Sequence, residues 1–219
     1  MQPSLAFPSA LSSVRDRLRA VFGALDQTPE RRMDPVSQLI KAVIGSRTFD
    51  EVAWGAFFRL QRAYPDWRDL GRATADDIEP IIDPVAFADQ KARQLPILIR
   101  LIILRRGELD LEFLADRPVD EAMSWLMQLN GVGVRAAAAT LNFSRLNRRA
   151  MVVDPHVHRL ARRLGLVGRA GDETGAYHAL MAQAPADWQA RDLFEFHWLL
   201  KPYGQSICTH FEPVCGLCA

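Results

Sequence analysis

One acidic residue, Asp154, stands in a basic part of the chain, nineteen residues after a glycine-rich turn. The turn is LNGVGVR at 129–135, and its glycines, Gly131 and Gly133, allow a sharp bend with exposed backbone amides. A helix beginning at Val134 would present unpaired N–H groups and the positive end of its dipole to a phosphate. A purely structural turn could have this sequence, but the arginine-rich stretch that follows favours contacts to a nucleic-acid backbone.

The basic part runs from Leu129 to Arg169 and contains eight arginines, with Asp154 as its one acid. Because the whole chain carries a net charge of only +1, the remainder is net acidic, and we expect one basic face. A solvated helix surface is the alternative explanation of such a charge run. The arginines stand at positions 135, 145, 148, 149, 159, 162, 163 and 169, among which we take Arg148 and Arg149 as candidate DNA-binding residues.

The composition is that of a globular chain, whose 219 residues suffice for one large domain or two closely packed lobes. The most apolar segment, 96–104, is too short to span a bilayer, so we expect a buried helix and no membrane association. The first ten residues carry no charge and no long apolar stretch, and no secretory signal is expected. The three cysteines all lie within the last twelve residues, which favours a reducing cytoplasm. Because the basic part is expected to bind nucleic acid, we expect the protein at the nucleoid.

The periodicity is helical nearly throughout and predicts an all-α fold. The clearest pair flanks the turn: Pro118 opens one helix, residues 130–133 end it, and a second, alanine-rich helix starts at Val134, which together make a helix–hairpin–helix. Gly107 is a predicted helix C-cap. Further helices are predicted around 14–21 and over 38–44, 54–60, 91–104, 157–164, 173–182 and 191–200, the last ending at Pro202 and Gly204.

Taken together, these motifs resemble the endonuclease III superfamily of helix–hairpin–helix DNA glycosylases. The resemblance spans roughly Val14 to Cys218 and is specific because four motifs occur in order. They are AVIGSRTFD at 42–50 with KA at 91–92, LNGVGVRAA at 129–137 with LN at 141–142, VDPH at 153–156, and YGQSIC at 203–208 followed by Cys215 and Cys218.

The resemblance implies a two-lobed, two-domain helical monomer with double-stranded DNA in its cleft. Residues 34–145 would form a six-helix barrel, and residues 12–33 with 146–219 would form the second lobe. A damaged or abasic nucleotide would be flipped out of the duplex. By position, Arg47 and Phe87 match the residues that fill the gap, although a surface arginine and a core phenylalanine are equally compatible with the sequence.

Asp154 is the candidate catalytic residue. Breaking an N-glycosidic bond builds positive charge on the sugar, which a carboxylate can stabilise while it orients or deprotonates a water. A residue before proline is held extended, which would aim the carboxylate. Asp154 could also cap a helix that starts at Pro155, and both roles are compatible.

Arg135 decides between two kinds of glycosylase. Bifunctional members of the family carry a lysine at this position, whose amine forms a Schiff base and leads to strand cleavage. A guanidinium stays protonated and is no nucleophile, although it can hold phosphate. We therefore expect a monofunctional enzyme, or a paralogue that binds abasic or distorted DNA without chemistry. The adenine-specific branch is disfavoured because Ala42 stands where that branch has its catalytic glutamate.

Cys208-x6-Cys215-x2-Cys218 matches the loop that holds a [4Fe–4S] cluster in the family. The family pattern places a fourth cysteine five residues further on, beyond Ala219. The sequence could be truncated, the fourth iron could take an external ligand, or the cluster could be lost; zinc with His210 is a weaker alternative. A metal hydrolase built on Asp154, His156 and His158 is disfavoured, because residues two apart on a helix point to opposite sides.

Overall fold

The structure is a computed structural model that describes residues 9–25, 32–168 and 171–218. Every regular element in these ranges is a helix, so the prediction of an all-α fold is confirmed. Arg169 and residues 26–31, which belong to the predicted second-lobe segment 12–33, lie outside the described residues. The α-helices are α1 (Ala10–Phe22), α2 (Pro35–Ile44), α3 (Asp50–Ala63), α4 (Trp67–Leu70), α5 (Ala75–Ile82), α6 (Ala88–Arg106), α7 (Val119–Met127), α8 (Val134–Phe143), α9 (Pro155–Arg163), α10 (Glu173–Gln183) and α11 (Ala190–Ser206), with 3-10 turns at Glu112–Ala115 and Cys215–Leu217.

The helices fall into two compact units, one comprising Pro29–Asn147 and the other Met1–Thr28 together with Arg148–Ala219. None of the helices in the described ranges has both the length and the apolar run needed to cross a bilayer.

Helix α2 is the centre of the Pro29–Asn147 unit, with nine of its ten residues buried. It starts sharply because Asp34 accepts a 2.9 Å hydrogen bond from the N–H of Ser37 and Pro35 occupies the first helical position. Helix α8 packs against α2, and its alanines at 136–139 are all buried, so that its small side chains allow neighbouring elements to lie close to it. This packing fixes the C-terminal end of α2 relative to the helix that follows the hairpin.

Helix α6 forms one wall of the same unit. It ends where predicted, at Gly107, which has φ +83° and donates a 2.7 Å hydrogen bond to the carbonyl oxygen of Ile103. The prediction that its apolar run is buried holds for one face only, because Leu104 is 80% exposed. Helices α4 and α5 were not predicted, although Thr74 and Asp77 form a capping box at the start of α5.

In the other unit, α11 runs through Pro202 and Gly204 to Ser206, so the predicted stop at these residues is wrong. Proline removes only one helical hydrogen bond, and the helix continues for another turn, in which Ser206 Oγ donates a 2.8 Å bond to the carbonyl of Pro202. Gly204 suits close packing, since a Cβ there would lie 3.0 Å from the Cβ of His156 on α9, which is a tight contact. Arg19 of α1 fastens α11 through two hydrogen bonds to the buried carboxylate of Glu195.

Candidate functional site

The hairpin between α7 and α8 is anchored by the buried side chains of Leu129 and Val132. Gly131 has φ +81°, a conformation that favours glycine, and a Cβ there would lie 3.0 Å from Gln94 Oε1. Gly133 differs, because its φ is −88° and a Cβ on it would meet no atom within 4 Å. The chain therefore does not need glycine at 133 for its own packing, and the space beside the first turn of α8 is open.

The α8 N-terminus can present its backbone amides, because no side chain caps it. Val134 can contribute only its backbone, since its side chain is buried. Arg135 is half-buried, and its Nη2 donates a 3.1 Å hydrogen bond to the carbonyl oxygen of Ala42 near the end of α2. The arginine thus adds positive charge to this helix terminus while being held by backbone.

The side chain of Lys91 on α6 also reaches the C-terminus of α2. Its Nζ donates to the carbonyl oxygens of Ile44 (2.8 Å) and Ser46 (2.6 Å) and to Thr48 Oγ1 (3.2 Å), and the residue is only 5% exposed. Burial, reinforced by the positive charge of Arg135, lowers the pKa of Lys91 to about 8. Since all three N–H groups of the ammonium have acceptors, this lysine is not available to attack a sugar.

Arg47 and Phe87 lie side by side, with the guanidinium carbon of Arg47 5.7 Å from the centre of the Phe87 ring. Both are in the left-handed region, at φ +54° and +58°, which is uncommon for residues other than glycine. Phe87 is 53% exposed, so the alternative that it belongs to the core is wrong. Phe49 is also exposed, and sequence reasoning did not single it out.

Asp154 belongs to the other unit and is 6% exposed. Its Oδ1 accepts a 2.8 Å hydrogen bond from the N–H of Val157, so the predicted capping of the helix at Pro155 is confirmed. Burial alone would raise the pKa of this carboxyl, but the charge of His197, the Val157 N–H and the charges of Lys201 and His156 outweigh it and lower the pKa below its ordinary value. Asp154 is therefore an ionised carboxylate in a buried position.

His197 is a site residue that sequence reasoning missed. It lies on α11, is buried, and its Nδ1 is 2.9 Å from the carbonyl oxygen of Val152, two residues before Asp154. Because a carbonyl can only accept, Nδ1 must carry the proton. A histidine among apolar helix residues is common in sequences, and only the folded contact distinguishes this one.

Most arginines of the basic stretch are used inside the protein. Arg149 donates to the carbonyls of Trp188 (2.8 Å) and Pro185 (3.0 Å), which indicates a structural role rather than the predicted one at the nucleic acid. Arg159 donates to the carbonyls of Gly204 (2.6 Å) and Cys208. Arg148 is half-buried, whereas Arg162 is exposed and has no hydrogen-bond or ion-pair partner in the described ranges.

The cysteine segment is held against α9 by Arg163, whose Nη1 is 3.1 Å from Cys208 Sγ and 2.6 Å from the carbonyl oxygen of Thr209. Cys208 is half-buried, and Cys215 and Cys218 are exposed. Three thiols suit a cluster by type, but across the described residues no three His, Cys, Asp or Glu side chains come together as a metal site. The cysteines therefore supply the ligand type of a cluster, but the described residues do not gather them around one point.

The described structure likewise does not bring Asp154, His156 and His158 together as a metal site. His156 Nδ1 lies 3.2 Å from Arg159 Nη2, and His158 Nε2 lies 3.0 Å from the carbonyl oxygen of Gly171. The two histidines face different partners, as expected for residues two apart on a helix.

A helix–hairpin–helix followed by a buried carboxylate at the start of a helix defines a class of fold, and comparisons with known proteins identify it. Residues 40–184 match the HhH-GPD superfamily of base excision DNA repair proteins. The chain belongs to this family, and the predicted resemblance to endonuclease III-like proteins is confirmed.

Relatives in sequence include a putative DNA glycosylase of Arabidopsis thaliana, 28% identical over 186 residues, covering 85% of this chain and 61% of the relative. The chloroplastic endonuclease III homolog 2 of the same plant is 29% identical, and the match covers 83% of this chain and 45% of that relative. The chain thus spans less than two thirds of these plant relatives. Endonuclease III of Thermotoga maritima is 28% identical, covering 86% of this chain and 81% of that protein.

Solved structures support the fold. A trapped endonuclease III–DNA covalent intermediate aligns with a TM-score of 0.76 at 22% identity, covering 93% of this chain and 89% of that one. A 3-methyladenine DNA glycosylase of H. pylori aligns with a TM-score of 0.67 at 18% identity, and the match covers 88% of this chain and 96% of that one. At these identities the likeness concerns the fold.

Proposed function

We propose that this protein is a monofunctional DNA glycosylase of base excision repair. It would bind double-stranded DNA that contains a damaged or mismatched base and hydrolyse the N-glycosidic bond of the flipped nucleotide. The observation that carries the proposal is the buried, ionised carboxylate of Asp154 in a chain of the HhH-GPD family. Relatives whose names describe them as DNA glycosylases or endonuclease III support the same activity.

In the proposed reaction the departing base takes the electron pair of the C1′–N bond, and positive charge develops on the sugar. Water then adds to C1′ and gives up a proton to the released base or the solvent, leaving an abasic site. Because the pKa of Asp154 is lowered, its carboxylate is a weak base, so we assign it mainly to stabilising the sugar cation. Oδ1 is occupied by the Val157 N–H, which fixes the orientation of the carboxylate, while Oδ2 has no hydrogen-bond partner in the described part of the chain.

The absence of lyase chemistry rests on Arg135. Its guanidinium has no lone pair to attack a sugar carbon, and it is held by the carbonyl of Ala42. The other lysine near this position, Lys91, has its three N–H groups committed to acceptors. Lys41 lies with Nζ 4.4 Å from the centre of the Trp54 ring.

Binding to the DNA backbone is assigned to the hairpin. The uncapped amides of α8, with the open space beside Gly133, suit a phosphate that approaches closely. Arg135 adds a positive charge there, and such contacts would be independent of base sequence. We assign Arg47 and Phe87 to the gap left by the flipped nucleotide, because they are exposed and adjacent.

A [4Fe–4S] cluster on Cys208, Cys215 and Cys218 is part of the proposal only as a structural element. It is supported by the spacing of the cysteines and by the guanidinium of Arg163 beside Cys208 Sγ, a suitable partner for a thiolate. The exposed Cys215 and Cys218 would have to approach Cys208 for a cluster to bind.

The test is a panel of duplexes, each with one damaged or mismatched base, incubated with the full chain and analysed with and without alkali. Strand breaks that appear only after alkali indicate base release without lyase activity. Asp154→Asn should abolish the alkali-dependent breaks while leaving DNA binding intact. Breaks without alkali, or a covalent complex trapped by borohydride, would contradict the monofunctional assignment.

The binding-only paralogue is the second candidate, and it is favoured by the lack of a usable lysine amine at position 135. It would bind abasic DNA with unchanged affinity in wild type and Asp154→Asn, and no duplex of the panel would yield a product. The panel therefore separates the two functions.

A further inference from the structure

Two surface turns of the Pro29–Asn147 unit are tied together through one hydroxyl group. Thr48 Oγ1 donates to the carbonyl oxygen of Ser46 (3.1 Å) and accepts from the backbone N–H of Ala86 (3.2 Å) and from Lys91 Nζ (3.2 Å). A hydroxyl has one donor and two acceptor sites, so all of them are used. The turn that carries Arg47 and the turn that carries Phe87 are thereby fixed to one another.

Lys91 is the centre of this connection. Its ammonium bonds the end of α2 at Ile44, the turn at Ser46 and the hydroxyl of Thr48, so three points of the chain converge on one buried cation. A cation suits this place because the C-terminal end of a helix carries partial negative charge, which Arg135 also meets through Ala42. The ammonium of Lys91 thus bonds the residues on both sides of Arg47, which are Ser46 and Thr48.

Two residues next to these bonded groups have an uncommon backbone conformation: Arg47 lies between Ser46 and Thr48, and Phe87 follows Ala86. Arg47 and Phe87 both have positive φ, and both side chains are exposed. Such conformations persist where surrounding contacts determine them, and they are frequent at functional sites. Lys91 and Thr48 make the side-chain hydrogen bonds to the neighbouring residues Ser46 and Ala86.

We propose that Lys91 is a positioning residue for nucleotide extrusion: through Thr48 it holds Arg47 and Phe87 as a preformed pair that enters the base stack. The partner of this pair is the base-pair step next to the extruded nucleotide, which the aromatic ring and the planar guanidinium can stack upon. The proposal rests on the proposed function, since it needs a protein that binds duplex DNA. It assigns Lys91 to preorganisation and leaves the bond-breaking step to other residues.

The experiment uses the full chain and a duplex with 2-aminopurine beside the target base, whose fluorescence rises when stacking is lost. Lys91→Met and Thr48→Val are compared with wild type. Arg100→Met is the matched control, because Arg100 also donates to a backbone carbonyl, that of Gly71, in the same unit but away from both turns. Binding to undamaged duplex and the unfolding midpoint are measured for every variant.

We expect Lys91→Met to slow the fluorescence rise on the order of 10- to 100-fold, because misplaced groups lose preorganisation, while undamaged duplex still binds. Thr48→Val removes a single hydroxyl and should show a smaller slowing of the same sign, which keeps the test valid if Lys91→Met does not fold. Arg100→Met should lower the unfolding midpoint without slowing the rise. A folded Lys91→Met or Thr48→Val with the wild-type rate overturns the proposal.

The wild-type protein separates this proposal from the proposed function. A fluorescence rise without base release from any duplex would contradict glycosylase activity and leave the role of Lys91 supported by its variants. No rise with wild type on any duplex would overturn the role of Lys91, because there would be no extrusion to position.

Discussion

Arg135 is fastened to Ala42 by a hydrogen bond of 3.1 Å from its guanidinium to the backbone carbonyl. The resemblance to endonuclease III-like proteins places a nucleophilic lysine at position 135 in bifunctional enzymes and a catalytic glutamate at position 42 in the adenine-specific branch. In this protein the side chain at 135 is held by the backbone of residue 42. The contact joins the first turn of α8 to the last turn of α2. Arg135 therefore retains a positive charge at the hairpin but provides no nucleophilic amine.

Replacing this arginine by lysine should create a lyase. In Arg135→Lys the new amine would stand near the charge of Lys91, and such like-charge proximity lowers the pKa of an amine and favours its nucleophilic form. We expect strand breaks without alkali and a covalent complex trapped by borohydride on a substrate duplex. Arg135→Gln is the control and should give neither. An Arg135→Lys protein that still releases the base but forms no trapped complex would mean that position 135 is too far from the sugar.

Asp154 has two separable roles that two substitutions distinguish. Asparagine can still cap α9, whereas alanine cannot, so Asp154→Ala should be less stable than Asp154→Asn by about 1 kcal/mol. Both should lose base excision by about 100-fold or more, because the charge that faces the sugar is gone. Urea unfolding and single-turnover excision measure the two effects. Wild-type excision by Asp154→Asn would reduce this residue to a helix cap.

The stability of the protein should depend on Lys91 at alkaline pH. Its pKa is lowered to about 8 in the folded protein from 10.5, so between these values the unfolded chain binds more protons. The free energy of unfolding should therefore rise from pH 8 towards pH 10.5, by at most ~3 kcal/mol. The measurement is urea unfolding at several pH values, compared with Lys91→Met, which should lack this contribution. Equal pH profiles for the two proteins would place the titration elsewhere.

Loss of the positive charge should affect DNA binding at Arg162 and protein stability at Arg149. Arg162 is exposed and without a partner in the described ranges, so Arg162→Gln should weaken DNA binding, reduce its salt dependence by about one counterion and leave folding unchanged. Arg149 is bonded to backbone carbonyls, so Arg149→Gln should lower the unfolding temperature. Binding titrations over a range of salt concentrations, together with thermal unfolding, provide the comparison. An unchanged salt slope for Arg162→Gln would move the DNA-binding face away from α9.

Iron analysis tests the cysteine segment. Protein purified without oxygen should contain iron and sulfide and show broad visible absorbance, and Cys208→Ser should lose both. Cys208 is the informative position because its Sγ lies 3.1 Å from Nη1 of Arg163. Arg163→Gln is the companion variant and should weaken iron retention. Colourless, iron-free wild-type protein would eliminate the cluster.

The helices were largely predictable because their signals are local. Gly107 after a long apolar helix and the hairpin glycines are each read from a few neighbouring residues, whereas α2 begins at Pro35, three residues before the predicted start. The error at Pro202 has a specific cause, since proline removes a single bond and the rest of α11 is stabilised by packing that the sequence does not display. Helix α4 has only four residues, too few to give a periodic signal.

The site was predictable in its residue types and not in its pairings. Asp154, Arg135 and the hairpin follow from motifs, whereas Arg135 meets Ala42 across 93 residues of sequence and Lys91 meets Ile44 across 47. Such contacts depend on how helices pack, which residue patterns within one helix do not specify. For Lys91 the sequence offered the KA motif at 91–92 and the scarcity of lysine, which occurs three times, and neither feature identifies its acceptors.

Gly133 has a consequence for how sequence variation at the hairpin should be interpreted. Gly131 is constrained by the fold through its positive φ and the neighbouring Gln94, whereas Gly133 has ordinary backbone angles and empty space around it. In a library of variants selected only for abundance, alanine at 133 would survive and alanine at 131 would be depleted. In the same library selected for survival of DNA damage, both would be depleted. Depletion of alanine at 133 in the second selection but not in the first would indicate that Gly133 lies where the protein contacts DNA.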